Sequence, residues 1–276
     1  MRRGLLRRLT KDTLAMAGLF ILAIFILAAV FAPYIAPNDP NRVNPRQMLN
    51  PPSSSHWLGT DDIGRDVFSR LLYAGRASLS LGVGVALVAV GLGGVLGAVA
   101  GFFEGWVDTV ISLVIDSILS VPILALAMVG SAFIDLTPWR LVLILALSSW
   151  PTTARLVRGQ VLQLKQLNFV EAAHAMGAAQ LRVLFRHIVP NTLAVVSVSA
   201  SLLVAYAILI ESALSFLGFG VPPPTATWGG MLYGAQLYYR EAPWLAIFPG
   251  LSITLVVASI NFLGEGLKRL VGPSWS

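Results

Sequence analysis

LSLGVGVALVAVGLGGVLGAVA, residues 79–100, is the stretch whose reading decides the fold class: 22 residues without a charge or a proline. At about 1.5 Å of rise per residue, such a run crosses the roughly 30 Å hydrocarbon core of a bilayer. Gly93, Gly97 and Gly101 within and just beyond it recur every fourth residue. That spacing sets one helix backbone directly against another, in this chain or in a partner subunit. It specifies packing and carries no chemistry.

Five more stretches of comparable character lie on either side, at Leu14–Phe31, Val107–Ala132, Leu141–Val157, Thr192–Leu214 and Trp244–Leu263. The expectation is therefore an all-α integral membrane protein with six transmembrane helices. Of these the Leu141–Val157 run is the weakest, being interrupted by Ser148, Ser149 and Pro151. Composition agrees with lipid as the solvent. The 276 residues are 56% hydrophobic and 12% charged, with mean hydropathy +0.77, whereas soluble domains carry about 25% charged residues. There is no cysteine, which excludes disulfides and thiolate metal sites. The first run is longer than the apolar core of a cleaved leader, so an uncleaved first helix is expected.

The net charge of +6 reads through topology and not through nucleic acid. With the N-terminus in the cytoplasm, Arg2, Arg3, Arg7, Arg8, Lys11, Arg155, Arg158, Lys165, Arg182, Arg186, Lys268 and Arg269 fall inside. The seven remaining basic residues, from Arg42 to Arg240, fall outside. Basic residues mark the cytoplasmic side, so both termini are expected there.

Three regions follow: 1–33, a tail and first helix; 34–77, an outer loop; and 78–276, a core of five spans. The outer loop opens on a proline-rich extended stretch and continues with Ile63, Val67 and Leu71 at helical spacing, Thr60 or Asp61 serving as N-cap. Its plain reading is an elbow at the membrane surface; substrate contact is the alternative. A second outer excursion, 215–243, holds Trp228, Tyr233, Tyr238 and Tyr239, aromatics of the kind that anchor at a membrane boundary.

The loop Arg155–Pro190 is polar and basic yet patterned as two short helices. Asn168 with Glu171 has the logic of a capping box. Phe169, Val170, Ala172, Ala173 and Met176 continue the helix, and Gly177 stops it. Leu181, Leu184, Phe185 and Ile188 mark a second helix ending at Pro190. An ordinary folded loop and a knob built to enter a partner's groove are both compatible with this pattern.

EAAHAMG (Glu171–Gly177), followed by Val189-Pro190-Asn191, resembles the EAA loop of ABC-importer permeases, with Val189 where leucine is usual. GTDDIGRDVFSR (59–70), GRASL (75–79) and ESALSFLGFGVPPP (211–224) resemble the dipeptide/oligopeptide/nickel permease family, as the second permease of its pair. The resemblance spans nearly the whole chain. It implies that Glu171, Ala172, Ala173, Met176, Gly177 and Pro190 form a coupling helix seated on a cytoplasmic ATPase. It implies as partners a second permease, two ATPases that hold the ATP and magnesium, and an extracytoplasmic solute-binding protein, in a bacterial inner membrane. This chain carries no Gly-x-x-x-x-Gly-Lys-Ser/Thr phosphate loop, so no cofactor and no catalytic role are expected here.

Intramembrane acids mark functional sites or paired groups. Asp116 and Glu211 are accordingly candidates for the translocation pathway, Glu211 equally for a bond between helices. His56, His174 and His187 fall in loops on opposite sides and make no common metal site. A nickel or other small-solute permease, an ion-coupled secondary transporter and a membrane scaffold are the rival readings.

Overall fold

The computed structural model describes residues 12–133 and 137–271, less the side chains of His174, Leu270 and Val271. The basic residues at 2–11, on which the expected orientation leans, lie outside it. Among the described residues the architecture is helical. Helix α1 is Thr13–Val30, begun by Asp12, whose carboxylate accepts the Ala15 amide at 3.2 Å. A single turn, α2 (Ala32–Ile35), leads to a 3-10 turn at Pro45–Gln47. Then come α3 (Val67–Phe103), α4 (Gly105–Leu119), α5 (Ile123–Ala132) and α6 (Pro138–Lys165). The rest are α7 (Asn168–Ala175), α8 (Gln180–Val183), α9 (Val189–Phe216), α10 (Trp228–Ala235) and α11 (Trp244–Val271).

Four of these rods are long and apolar enough to cross a membrane: α1, α3, α8 running into α9, and α11. A fifth arises if α4 and α5, bent by 82° at residues 120–122, count as one span. The expected third span is thus a broken pair. Pro122 has no amide to donate, and the chain turns there before α5 restarts. The expected fourth span lies within α6, which at 28 residues is about 42 Å long but whose hydroxyls and four basic residues keep it below the apolarity of the others. Pro151 sits inside α6 without ending it.

α3 is the axis of the fold. α6 lies along one flank, α1 and α9 along the other, and α11 closes against α1 and α9. The glycine stripe is what admits α6. A Cβ on Gly93 would stand 2.5 Å from the Trp150 carbonyl oxygen and one on Gly101 2.8 Å from that of Arg158. One on Gly97 would overlap the Ala154 carbonyl. The stripe's neighbour is therefore this chain's own helix, running parallel. Leu81, Val85, Leu141, Leu145 and Trp150 fill the space around that seam. Ala74, Ile208, Trp228 and Val256 form a second core on the opposite side.

Three sequence expectations change. α3 begins at Val67, capped by Asp66, whose carboxylate accepts the Ser69 amide at 2.8 Å; Thr60 and Asp61 lie upstream in a buried loop. The helix then runs unbroken through residue 77, where a regional boundary was expected. Trp228 is no surface anchor. It is 1% exposed, donates through Nε1 to the Leu71 carbonyl at 3.2 Å, and meets Phe25 edge-on.

Candidate functional site

At the end of the molecule where α3 and α6 terminate, residues 166–188 fold into a small knob. α7 starts at Asn168, and the Leu167 carbonyl, one position before the expected cap, accepts the amides of Val170 (2.8 Å) and Glu171 (3.3 Å). Its other end is a Schellman turn. Gly177 has φ +77°, and the Ala178 amide donates back to the Ala173 carbonyl at 3.1 Å. A side chain at 177 would meet open space, so only the backbone angle demands glycine there.

Pro190 does not end the following helix. α8 passes through one widened turn, Leu184–Ile188, in which the Val189 amide reaches the Leu184 carbonyl. The wide turn takes up the proline's missing donor, and the Asn191 side chain satisfies the His187 carbonyl at 2.6 Å. α8, this turn and α9 form one continuous 37-residue rod, 180–216.

The knob has two faces. Val170, Ala173, Val183, Leu184 and Ile188 are buried against Phe102 of α3 and Val157 and Val161 of α6. Each fully buried aliphatic chain contributes about 1.5–3 kcal/mol, enough to seat the knob firmly on the two helix ends. The outer face carries Met176 (82% exposed), Phe185 (66%) and Leu181 (57%), with Phe169 and Leu167 beside them. Glu171, Ala172, Gly177 and Pro190 are also exposed, whereas Ala173 is buried in the anchor. This outer face is the largest apolar surface that the knob leaves uncovered by the chain's own helices.

Three ion pairs join α4 and the residue before it to the basic end of α6: Lys165 with Glu104 at 2.5 Å, Arg158 with Asp108 through two bonds (2.6 Å for Nη2), and Arg155 with Asp116. Asp116 is therefore paired, and both members of its pair are more than half exposed.

Residues 93–276 match the family model described as binding-protein-dependent transport system inner membrane component, and residues 2–52 match the N-terminal transmembrane domain of oligopeptide transport permease C. A dipeptide transport system permease protein of Alkalihalophilus pseudofirmus is 39% identical over 98% of this chain and 89% of its own length. A glutathione transport system permease protein of Pectobacterium atrosepticum is 41% identical over 97% of this chain and 89% of its own. A putative peptide transport system permease protein of Brucella abortus is 40% identical over 97% and 90%.

The chain belongs to the binding-protein-dependent transport permeases. It is the multi-pass membrane component of such a system.

Within this permease, Glu211 sits where the structure favours the second of its two readings. It is 1% exposed near the far end of α9. Ser215 Oγ donates to its carboxylate at 2.8 Å, and Ser212 and Thr227 bond to it as well. Thr227 is the N-cap of α10 and accepts the Gly230 amide at 3.0 Å, so Glu211 ties α9 to the start of α10. Among the described residues no three His, Asp or Glu stand together in a way that could hold a metal ion. The anchor residue Val183 and the pairs at Asp108 and Glu104 escaped the sequence reading, which placed Ile188 on a helix without its burial against α3 and α6. Matching Glu104, Asp108 and Asp116 against Arg155, Arg158 and Lys165 on two helices of one end is the signal that would have found the pairs.

Proposed function

We propose that this chain is the second permease of an ATP-driven importer for di- and oligopeptides. It works with a related permease, two cytoplasmic ATPases that bind ATP and magnesium, and an extracytoplasmic solute-binding protein. The observation that carries this reading is the two-faced knob at 168–190, bound to the membrane helices on one side and bare and apolar on the other. In the proposed cycle, closure of the ATPase dimer on ATP draws the two permeases' knobs together. The long rod 180–216 and the ion-paired helices α4 and α6 carry that displacement into the membrane, and the pathway changes the side to which it opens. Asp116, paired and exposed, stands along that pathway; Glu171, Ala172, Met176, Gly177 and Pro190 meet the ATPase, and Ala173 holds the knob in place.

Six crossings are assigned: α1, α3, the broken pair α4–α5, α6, α8–α9 and α11. The knob end is assigned to the cytoplasm with both termini. Among the described residues each end carries seven basic side chains. The asymmetry that orients the chain thus comes from the five basic residues at 2–11. Peptide as solute rests on what the relatives' names state of those proteins.

The test is to tag this chain in its host, solubilise it gently and identify what travels with it. A second permease and a phosphate-loop ATPase are expected, and the reconstituted complex should take up labelled dipeptide only with ATP and the binding protein. Repeated recovery of the chain free of any ATPase, with uptake driven by an ion gradient, would overturn the reading.

A further inference from the structure

With the six crossings assigned above, the backbone loses regular structure inside a span in one place among the described residues, the junction of α4 and α5. α4 and α5 meet at 82° over Ser120-Val121-Pro122, and all three residues are exposed. In hydrocarbon every backbone donor and acceptor must be bonded internally. Non-helical chain at that depth is stable only against protein or beside water.

Facing the break are the middle turns of two other helices. Ser149 lies 11 residues into the 28 of α6 and Ser199 10 residues into the 28 of α9, about 16 and 15 Å from their starts. Between break and helices is a cavity of about 480 Å3, within the range of small-molecule sites. Its wall is amphipathic: Ser149, Thr152, Thr153, Ser199 and Tyr206 bring hydroxyls among leucines and isoleucines. None of its lining residues is charged. The Asp116–Arg155 pair stands about one turn nearer the knob and sums to zero.

We propose that this cavity is a station on the translocation pathway that holds the main chain of a passing peptide, Val121 and Pro122 of the break forming one wall and Ser149, Ser199 and Tyr206 the other. It rests on the permease reading above and adds where and by what chemistry the solute is held. A peptide brings one donor and one acceptor per residue, each costing several kcal/mol if carried unpaired through an apolar passage. A hydroxyl both donates and accepts, so a ring of them serves either group in either direction of threading. Fixed charges would retain one class of side chain; neutral hydroxyls discriminate little. The station therefore recognises the peptide bond and tolerates its side chains.

The chain's lack of cysteine makes the test direct. Ser199→Cys and Thr152→Cys are compared with Leu87→Cys, mid-way along α3 and 70% exposed on its outer surface. Each variant is assembled in its full transporter and exposed to a small, charged methanethiosulfonate. Thiolate is the reacting form and is suppressed by several pKa units in hydrocarbon. Cysteines at 199 and 152 are thus expected to react about 100-fold faster than at 87. With the binding protein and ATP present, dialanine should slow them about twofold at half-occupancy, its uptake being followed in parallel. Reaction as slow as at 87 in a complex that still takes up dialanine overturns the proposal. Fast reaction that transported dialanine leaves unchanged overturns it also, by showing water without a solute station. Loss of dialanine uptake in the unsubstituted complex, or absence of an ATPase from it, is instead a failure of the permease reading.

Discussion

Two polar excursions of this chain, residues 38–70 at one end and 166–188 at the other, are built on opposite plans. The first closes on itself. Thr60, Asp66 and Ser69 are at most 2% exposed, and each is bonded within the excursion. Asp61 accepts the amides of Ile63 and Arg65 and the Arg65 guanidinium at 2.6 Å. Asp66 takes His56 Nδ1 at 2.8 Å and both the amide and the hydroxyl of Ser69. Arg70 donates to the Pro40 carbonyl at 3.1 Å, and Trp244 of α11 reaches the Thr60 carbonyl at 3.3 Å. The second excursion leaves its largest apolar side chains bare. Polarity in the first is spent internally, on holding an irregular loop over the helix ends, although Trp57 stays 56% exposed there; the second leaves Met176, Phe185 and Leu181 more exposed than buried. Of two segments that both resemble family hallmarks, the acidic one is bonded internally, and the Ala-rich one is the segment to which the proposed function assigns the ATPase contact.

The sharpest way to break that contrast is Asp61→Ala. It strands two amides and leaves Arg65 and Arg70 in a nearly buried place. Removing one member of such a cluster costs about 3–5 kcal/mol, so the thermal midpoint of the purified complex should fall by many degrees. An unchanged midpoint would show that this end is not self-stabilised. Next in size is Val170→Ala, on the anchored face of the knob and 1% exposed. The lost methyl groups and the space they leave cost about 2 kcal/mol, seen as faster proteolysis within 166–188 while the rest of the chain stays resistant. Uniform resistance would mean that the knob is not seated as described. Gly177→Ala follows. With open space around it, the penalty is the backbone angle alone, about 1–2 kcal/mol, and Gly177→Asn should recover part of it because Asn tolerates that region. Equal behaviour of the Ala and Asn variants would argue against the left-handed turn. Smallest in stability is Met176→Ser with Phe185→Ser. Both positions are exposed, so folding should move by less than about 0.5 kcal/mol, yet co-purification of the ATPase and ATP-driven uptake should be lost. Retained ATPase binding would place the docking surface elsewhere.

Much of this was legible beforehand, and the reason differs by element. The sequence places the first helix at 14–31 and it spans 13–30, because Asp12 caps its start and Pro33 follows close on its end. The two short helices of the knob and the stop at Gly177 follow from apolar periodicity and glycine's tolerance of positive φ, but which apolar residues turn inward does not. The break at Ser120-Val121-Pro122 was not legible. A proline inside an apolar run is equally compatible with a continuous span, as Pro151 of α6 demonstrates a few turns later. Nor could spacing alone name the neighbour of Gly93, Gly97 and Gly101, since a small-residue stripe records closeness and not identity. Glu211 was recognisable as costly, but its bond to Thr227 joins residues whose proximity depends on how α10 folds back.

The fit of α3 to α6 constrains the ways in which relatives of this chain can diverge. Each glycine of the stripe meets the backbone of a residue on α6, and each contact falls four residues beyond the last on both helices. Adding or deleting one residue within 93–101 or 150–158 would turn the following part of that helix by about 100° and put a side chain where no Cβ fits. Substitutions can accumulate along this seam, but changes of length are tolerated only in pairs or outside it. Length variation among relatives should therefore collect at residues 34–58 and 217–243, leaving the distance between Gly93 and Arg158 unchanged.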